Sequence, residues 1–239
     1  KRDKKYLFKP LDYIIPVESK IRSIVGGIET SFGTTLWEKL SKTLAKENNF
    51  QIINKNLKEP KIDDNVKNKI LNIIDDRTHS DSSYDAKTSK HKIHSILSEH
   101  LKHNNIDKWS EPPKGHGVDI WLYKDKINYL FDTKTVQPNV GAYIRFLEQI
   151  HHWYFYFYSE YPNANVKAQI IFPYNPYDKP FIEKTVSKGK PLQYPDEFLC
   201  DNDYWSFITG NKEAYKIILQ SFKNSQIACQ KIIKDFIKD

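Results

Sequence analysis

The chain has 239 residues, 39% of them hydrophobic and 14% aromatic, which is enough apolar material for one large core and more than a disordered chain carries. Its 37 Lys and Arg outnumber 30 Asp and Glu, and the net charge of +7 with a pI near 9.1 favours a polyanionic partner without specifying a site. Two cysteines, Cys200 and Cys229, form no CxxC or zinc pattern, and no apolar run reaches the roughly 18 residues of a membrane span, so disulfide-framework, zinc-module and transmembrane classes fall away. A reducing, cytoplasmic setting fits, although spacing alone leaves one disulfide open. No secretory leader is visible, and the absence of methionine even at position 1 suits a chain that lacks its original start.

The opening "KRDKKYLFKPLDYIIP" reads as a basic, proline-interrupted arm leading into the first helices. Thr34 or Thr35 is a candidate cap for a helix that places Leu36, Trp37, Leu40, Leu44 and Ala45 at helical spacing. "FQIIN" reads as a short strand. Residues 60–105 lean helical, with Ile70, Leu71, Ile73 and Ile74 grouped and a second amphipathic run from Ile93 to Leu101. This region is expected to be an inserted or flanking lobe, not sheet core.

"VDIWLY" reads as a strand, "KDKIN" as a turn and "YLFDTKTV" as the partner strand, since so short a connection implies an antiparallel hairpin. Residues 142–158 form a helix despite their β-prone aromatics, limited by Pro162. Next, "VKAQIIFPYN" supplies another strand. The stretch 173–195 is loop-heavy, and the tail sets Ala214, Ile217, Ile218, Phe222, Ala228, Ile232 and Phe236 on one helical stripe, for core or partner packing.

The hairpin carries the chemistry. Asp119 lies near the start of the first strand and Asp132 near the end of the second, so the reversal brings them together. Asp132 and Lys134 share a face because side chains alternate with period two. Burying three ionisable groups at one sheet edge is costly unless a metal, a phosphate or mutual pairing compensates. Two carboxylates are suitable hard ligands for Mg2+, and the backbone carbonyl of Thr133 is a further candidate ligand. Lys134 can position a water or screen charge in phosphodiester hydrolysis, although general-base action would require it to lose its proton first. The bland alternative is a surface Asp–Lys pair beside a capping aspartate.

"GVD" followed by "FDTK" resembles the D…(D/E)-x-K signature of the restriction-endonuclease-like, PD-(D/E)XK nuclease superfamily. The longer "GHGVDIWLY…FDTKTVQPNVG", within residues 114–141, resembles the TdeIII family of Type II restriction endonucleases, with support from "GGIETSFGTTLWEKL". That resemblance implies an α/β fold with a mixed central sheet flanked by helices, here a single domain over 1–239 with the helical insertion or lobe around 60–110. It also implies Mg2+-dependent cleavage of duplex DNA at a short, nearly palindromic, GGNCC-type site. Asp119, Asp132 and Lys134 would carry the signature roles. An early helix often adds an acid in that fold group, for which Glu38 is the first candidate and Glu29 the alternative.

Residues near the hairpin offer contacts to double-stranded DNA. Gln137 and Asn139 suit adenine or phosphate, Arg145 guanine or phosphate, Lys114 phosphate, and His116 a water or DNA group. On the middle helical run, Lys87, Lys90 and Lys92, with His91 and His94, could face a phosphate backbone, whereas a zinc site lacks the accompanying pattern. His151 and His152 read as packing or hydrogen-bonding residues, and the aromatics after them as helix packing or a dimer interface. No P-loop pattern calls for a nucleotide. A symmetric target favours a homodimer with one centre per strand. The competing readings are a structure-selective or repair nuclease and a DNA-binding protein without catalysis.

Overall fold

The structure, a computed structural model, describes residues 14–79, 84–134, 138–177, 179–185 and 192–238. Pro16, whose fixed φ suits the first helical turn, opens α1 (Pro16–Ser31). A π-helical stretch, Phe32–Trp37, follows without a break and leads into α2 (Glu38–Glu47). The helix start expected at Thr34 or Thr35 is therefore a correction: these threonines lie inside a helix already running, where the wider π turn accommodates the extra residue. Asn49 then ends it with a left-handed φ of 60°.

Short strands β1 (Gln51–Ile52) and β2 (Glu59–Pro60) precede α3 (Asp64–His79), whose first amides are capped by Asp63. In α4 (Ala86–Leu101) the Asp85 carboxylate accepts from Thr88 N at 2.7 Å, and β3 (Trp109–Ser110) pairs with β2. The hairpin is β4 (Ile120–Lys124) and β5 (Ile127–Thr133), closed by Asp125 and Lys126, both at positive φ as a type I′ turn requires. Helix α5 (Val140–Glu160) starts at Asn139, whose Oδ1 accepts from Ala142 N at 2.9 Å. The remaining elements are β6 (Asn165–Phe172), α6 (Phe181–Thr185), β7 (Phe198–Cys200), α7 (Asp201–Thr209) and α8 (Ala214–Lys238).

The main sheet has five strands in the order β1-β4-β5-β6-β7. Pairing is antiparallel across β1-β4-β5 and parallel across β5-β6-β7, so this is a mixed α/β sheet flanked by helices, as expected. A parallel neighbour needs a crossover, and α5 supplies it between β5 and β6. One face packs Trp121, Leu130, Val166, Ala168 and Ile170 against α5. Outside α5 lie α3 and α4, contributing Ile70, Ile73, Ile74, Ile93 and Leu97 to that same cluster. Residues 60–105 thus flank the sheet as a second helical layer. Sandwiched in this way, α5 buries nearly every residue from Leu147 to Ser159 except the half-buried Glu148 and His152, which explains how an aromatic, β-prone run becomes helix. The other face packs Ile120, Leu122, Phe131 and Ile171 against Trp37, Tyr204, Trp205 and Ile208.

Strand β7 and helix α7 are additions to the sequence reading. Along the tail, Ala214 is buried and Ile218 half-buried, but Ile217, Leu219, Phe222 and Ile227 are exposed. Among the described residues, no helix is long and apolar enough to cross a membrane.

Candidate active site

Asp119 sits one residue ahead of β4, and its N–H donates to Phe131 O at 3.1 Å, although Phe131 is registered opposite Ile120. Two residues facing one is the arrangement of a β-bulge, which re-aims side chains at a strand end. On β5, Asp132 is 4% exposed and Thr133 7%. Peptide groups alternate along the strand: Phe131 and Thr133 point toward β4, while Lys134 N donates to Ile171 O on β6 at 2.9 Å. Thr133 N therefore reaches Asp119 Oδ2 at 3.4 Å, and its carbonyl is turned to that same side.

These groups line a cleft of about 360 Å³. Asp119, Asp132, Thr133 and Lys134 form one wall, and Glu38 enters from the start of α2. Gly33, Gly115 and Gly117 supply backbone, with Gly115 at a φ of 91° that side chains rarely adopt. Lys134 Nζ is ion-paired with Asp132 Oδ2 and stands 5.3 Å from the centre of the Phe146 ring. Glu38 pairs at 3.8 Å with Lys42, one helical turn on.

Burial, the neighbouring Asp132 carboxylate and the hydrogen bond between the two push the Asp119 carboxyl up to about 8, with Glu38 adding to the effect and Lys134 opposing it. Burial likewise raises Glu38, against the pull of Lys42 and with a further push from Asp132. Three acids thus share one electrostatic neighbourhood, whose crowding a cation would relieve. Among the described residues, no three His, Cys, Asp or Glu side chains form a ready-made ligand cluster. The fit is instead to a Mg2+-type ion, which keeps several waters and takes one or two carboxylates. Asp119 and Asp132 would hold it, with the Thr133 carbonyl on the same side and Glu38 close by.

A pH dependence follows. Because the folded value of Asp119 lies above the ordinary carboxylate range, the fold binds a proton that the unfolded chain does not. The resulting loss of stability is absent below about pH 4 and grows until about pH 8. Metal-free Asp119→Asn is expected to melt higher than wild type at pH 8, by about 2–4 °C for each kcal/mol relieved, and to converge with it near pH 4. Mg2+ binding to wild type should strengthen as pH rises toward 8 and release protons, measurable by calorimetry in two buffers. Equal melting temperatures at pH 8 would contradict the crowding.

The other expected residues are dispersed. Glu29 is exposed on α1 and does not line the cleft. Lys114 is exposed beside Gly115. His116 is half-buried, its ring 4.8 Å from that of His152, and burial holds both below the ordinary imidazole range, His152 at about 4. Asn139 caps α5, Arg145 is exposed on its early turns, and Gln137 lies outside the described residues. Lys90 donates to Val166 O at 2.6 Å, burial depresses its ammonium, and Lys92 stands over the Tyr84 ring. Lys87 and Lys90 line a different cavity, of about 380 Å³, together with Lys167. Lys167 is registered with Tyr129, roughly 10 Å along β5 from Asp132. His151 is fully enclosed, hydrogen-bonded to Leu147 O and Ser89 Oγ at 2.8 Å each.

Sequence reasoning missed Gln149, which lines the cleft from α5 and donates to Asp132 Oδ2 at 2.8 Å. A lone amide amid Leu147, Ile150 and Trp153 on a helix apolar on every side was the available signal.

Residues 9–226 match the family described as Type II restriction endonuclease, HinfI. A curated relative, the Type II restriction enzyme MjaII of Methanocaldococcus jannaschii, is 24% identical over 204 residues, covering 81% of this chain and 51% of that protein. The chain spans about half the length of the curated relative it matches. No solved structure matches. The family found here is that of HinfI and the motif resemblance named that of TdeIII; what the two share is the broader class, Type II restriction endonuclease.

Proposed function

The chain belongs to the HinfI family of Type II restriction endonucleases, and from that premise we propose that it hydrolyses phosphodiester bonds of duplex DNA at a short specific site. The observation that carries this reading is the convergence of Asp119, Asp132, Lys134 and Glu38 on one cleft at the ends of β4 and β5. It is the arrangement that the PD-(D/E)XK signature leads one to expect, with Glu38 as the early acid.

In this reading Asp119 and Asp132, with the Thr133 carbonyl and Glu38, hold Mg2+. The ion would lower the pKa of a water and offset charge on the phosphoryl oxygens. Lys134, held between Asp132 and the Phe146 ring, lines the cleft, where it would orient the attacking water and screen the charge that builds on the phosphate. Water adds to phosphorus as one P–O bond breaks, leaving a phosphomonoester and a hydroxyl end. Lys114 and Arg145, both exposed, are the proposed phosphate or base contacts nearest in sequence to this machinery.

The proposed target is nearly palindromic and GGNCC-like, as the motif resemblance implied. Two strands of such a site call for two centres, hence a homodimer. Support comes from apolar side chains left exposed on the terminal helices, Val17, Ile21 and Val25 on α1 and Ile217, Leu219 and Phe222 on α8. Both cysteines are free thiols, which agrees with action in the cytoplasm.

The test is to incubate the protein and Mg2+ with a mixed duplex library and sequence the ends. Discrete cuts at one short sequence are expected. Cuts that track junctions or ends would replace this reading with a structure-selective nuclease, and binding without cleavage would leave a DNA-binding protein.

A further inference from the structure

Gln149 is 5% exposed, in the middle of a helix whose other inward positions are almost all apolar or aromatic. A buried carboxamide costs stability unless its hydrogen bonds are made. Here the NH2 group makes two: to Asp132 Oδ2 at 2.8 Å, and to Gly117 O at 3.3 Å. An ionised carboxylate and a carbonyl only accept, so the nitrogen end of the amide must point toward them. We propose that Gln149 is a positioning residue for the metal-holding carboxylates, an inference that rests on the nuclease reading of the same cleft.

Two features of the geometry support this role. Asp132 Oδ2 already takes Lys134 Nζ, and the Gln149 amide falls on that same oxygen. The two donors fix the carboxylate's rotation and leave Oδ1 outside their grip. Lys134 alone would do this less firmly, since its side chain is 27% exposed and long. A neutral amide also orients Asp132 without cancelling the negative charge that a cation needs, as a second lysine would.

The other feature is the Gly117 contact. Gly117 lies two residues before Asp119, so one side chain ties the segment carrying Asp119 to the strand carrying Asp132, across 32 and 17 residues of sequence. Trp153, one helical turn further along α5, donates Nε1 to His116 O at 2.8 Å and holds the same segment from its neighbour. Helix α5 is packed on both sides, which suits it as the base of such a clamp.

The test is calorimetric titration of Mg2+, and of Mn2+ as a tighter probe, into wild type, Asp132→Asn, Gln149→Met and Gln149→Ala, with DNA affinity measured in EDTA and a melting curve for each. Methionine keeps the length of glutamine without its donors. Loss of an outer partner of a metal ligand typically weakens metal binding about 10–100-fold, and that is the loss expected for both Gln149 variants. Metal-free DNA affinity should stay within about threefold, and saturating Mg2+ should restore much of the lost cleavage rate. If wild type binds the ion, Asp132→Asn loses it and Gln149→Met matches wild type, the positioning role is wrong while the nuclease reading stands. No binding by wild type would overturn both. Failure of both Gln149 variants to fold would assign the residue to fold maintenance and overturn the proposal.

Discussion

Asp132→Ala and Lys134→Ala are each expected to lower cleavage by about 1,000-fold or more and to leave most of the metal-free DNA affinity. The size follows from what each group does. Removing one preorganised stabiliser of developing charge typically costs about 100- to 1,000-fold in rate, and removing a metal ligand adds to that. Asp132 is also the shared acceptor of Lys134 Nζ and the Gln149 amide. Its truncation therefore strands two donors and lets the lysine drift from its position over Phe146. Asp132 and Lys134 pair with each other in the cleft, so the phosphate contacts proposed for Lys114 and Arg145 should remain. Single-turnover cleavage of a duplex carrying the mapped site, with anisotropy in EDTA, measures both quantities. Near-normal cleavage by either folded variant would remove the site from consideration. Asp132→Ala should also let the Asp119 carboxyl move back toward its ordinary range, because that carboxylate is the main push after burial.

Arg77→Met is expected to give the largest loss of stability. Arg77 and Glu197 are 6% and 1% exposed and meet at 2.9 Å, joining α3 to the residue that precedes β7. Glu197 Oε2 also accepts from Gln193 N at 2.8 Å, Glu197 O accepts from Ile170 N, and Gln193 Oε1 accepts from Ala86 N. One residue thus ties α3 to the β6–β7 pairing, its carboxylate holding Arg77 and its carbonyl holding β6, while its loop also holds the start of α4. Removing the cation leaves a buried charge without its partner, a loss of about 3–5 kcal/mol, or very roughly 6–20 °C in Tm for a chain of this size. Burial already pushes the Glu197 carboxyl up to about 7, with Arg77 pulling it down. A folded value above the ordinary one means that ionisation disfavours the fold as pH rises. The deficit of Arg77→Met should therefore grow as pH rises above about 7 and shrink toward pH 5, where Glu197 enters the core neutral. Adding Glu197→Gln should recover much of it. A single variant melting within 2 °C of wild type at pH 8 would contradict this account.

The hairpin was legible because period-two alternation and a short turn are local signals, and they carry Asp119 to Asp132 without any knowledge of the rest of the chain. Helix α5 was legible from its length. Its burial on both sides was not, since α3 and α4 reach it from far upstream. The first helix was misplaced because Gly26, Gly27 and the threonines at 34 and 35 look like a boundary, whereas Pro16 starts it and a π turn carries it through. Strand β7 is three residues long and is recognisable only by its register with β6. The lysines at 87, 90 and 92 look alike in sequence, yet one is exposed, one caps a carbonyl at the open edge of β6 and one lies over an aromatic ring. Glu38 and Glu29 stand nine residues apart on one continuous helix, and only the lateral packing of α2 turns Glu38 to the cleft.

That continuous helix has two jobs on its two halves. Trp37, Ser41 and Ala45 lock α2 into the sheet, while α1 presents Val17, Ile21 and Val25 outward. The π stretch between them holds one residue more than an α-helical turn and so sets the rotational phase of one half against the other. Deleting a single residue from the α-helical stretch between Val25 and Phe32 would instead turn the first half of α1 by about 100° around its axis. Glu38 would stay at the cleft while the apolar stripe faced elsewhere, so one codon can move the stripe without moving the cleft.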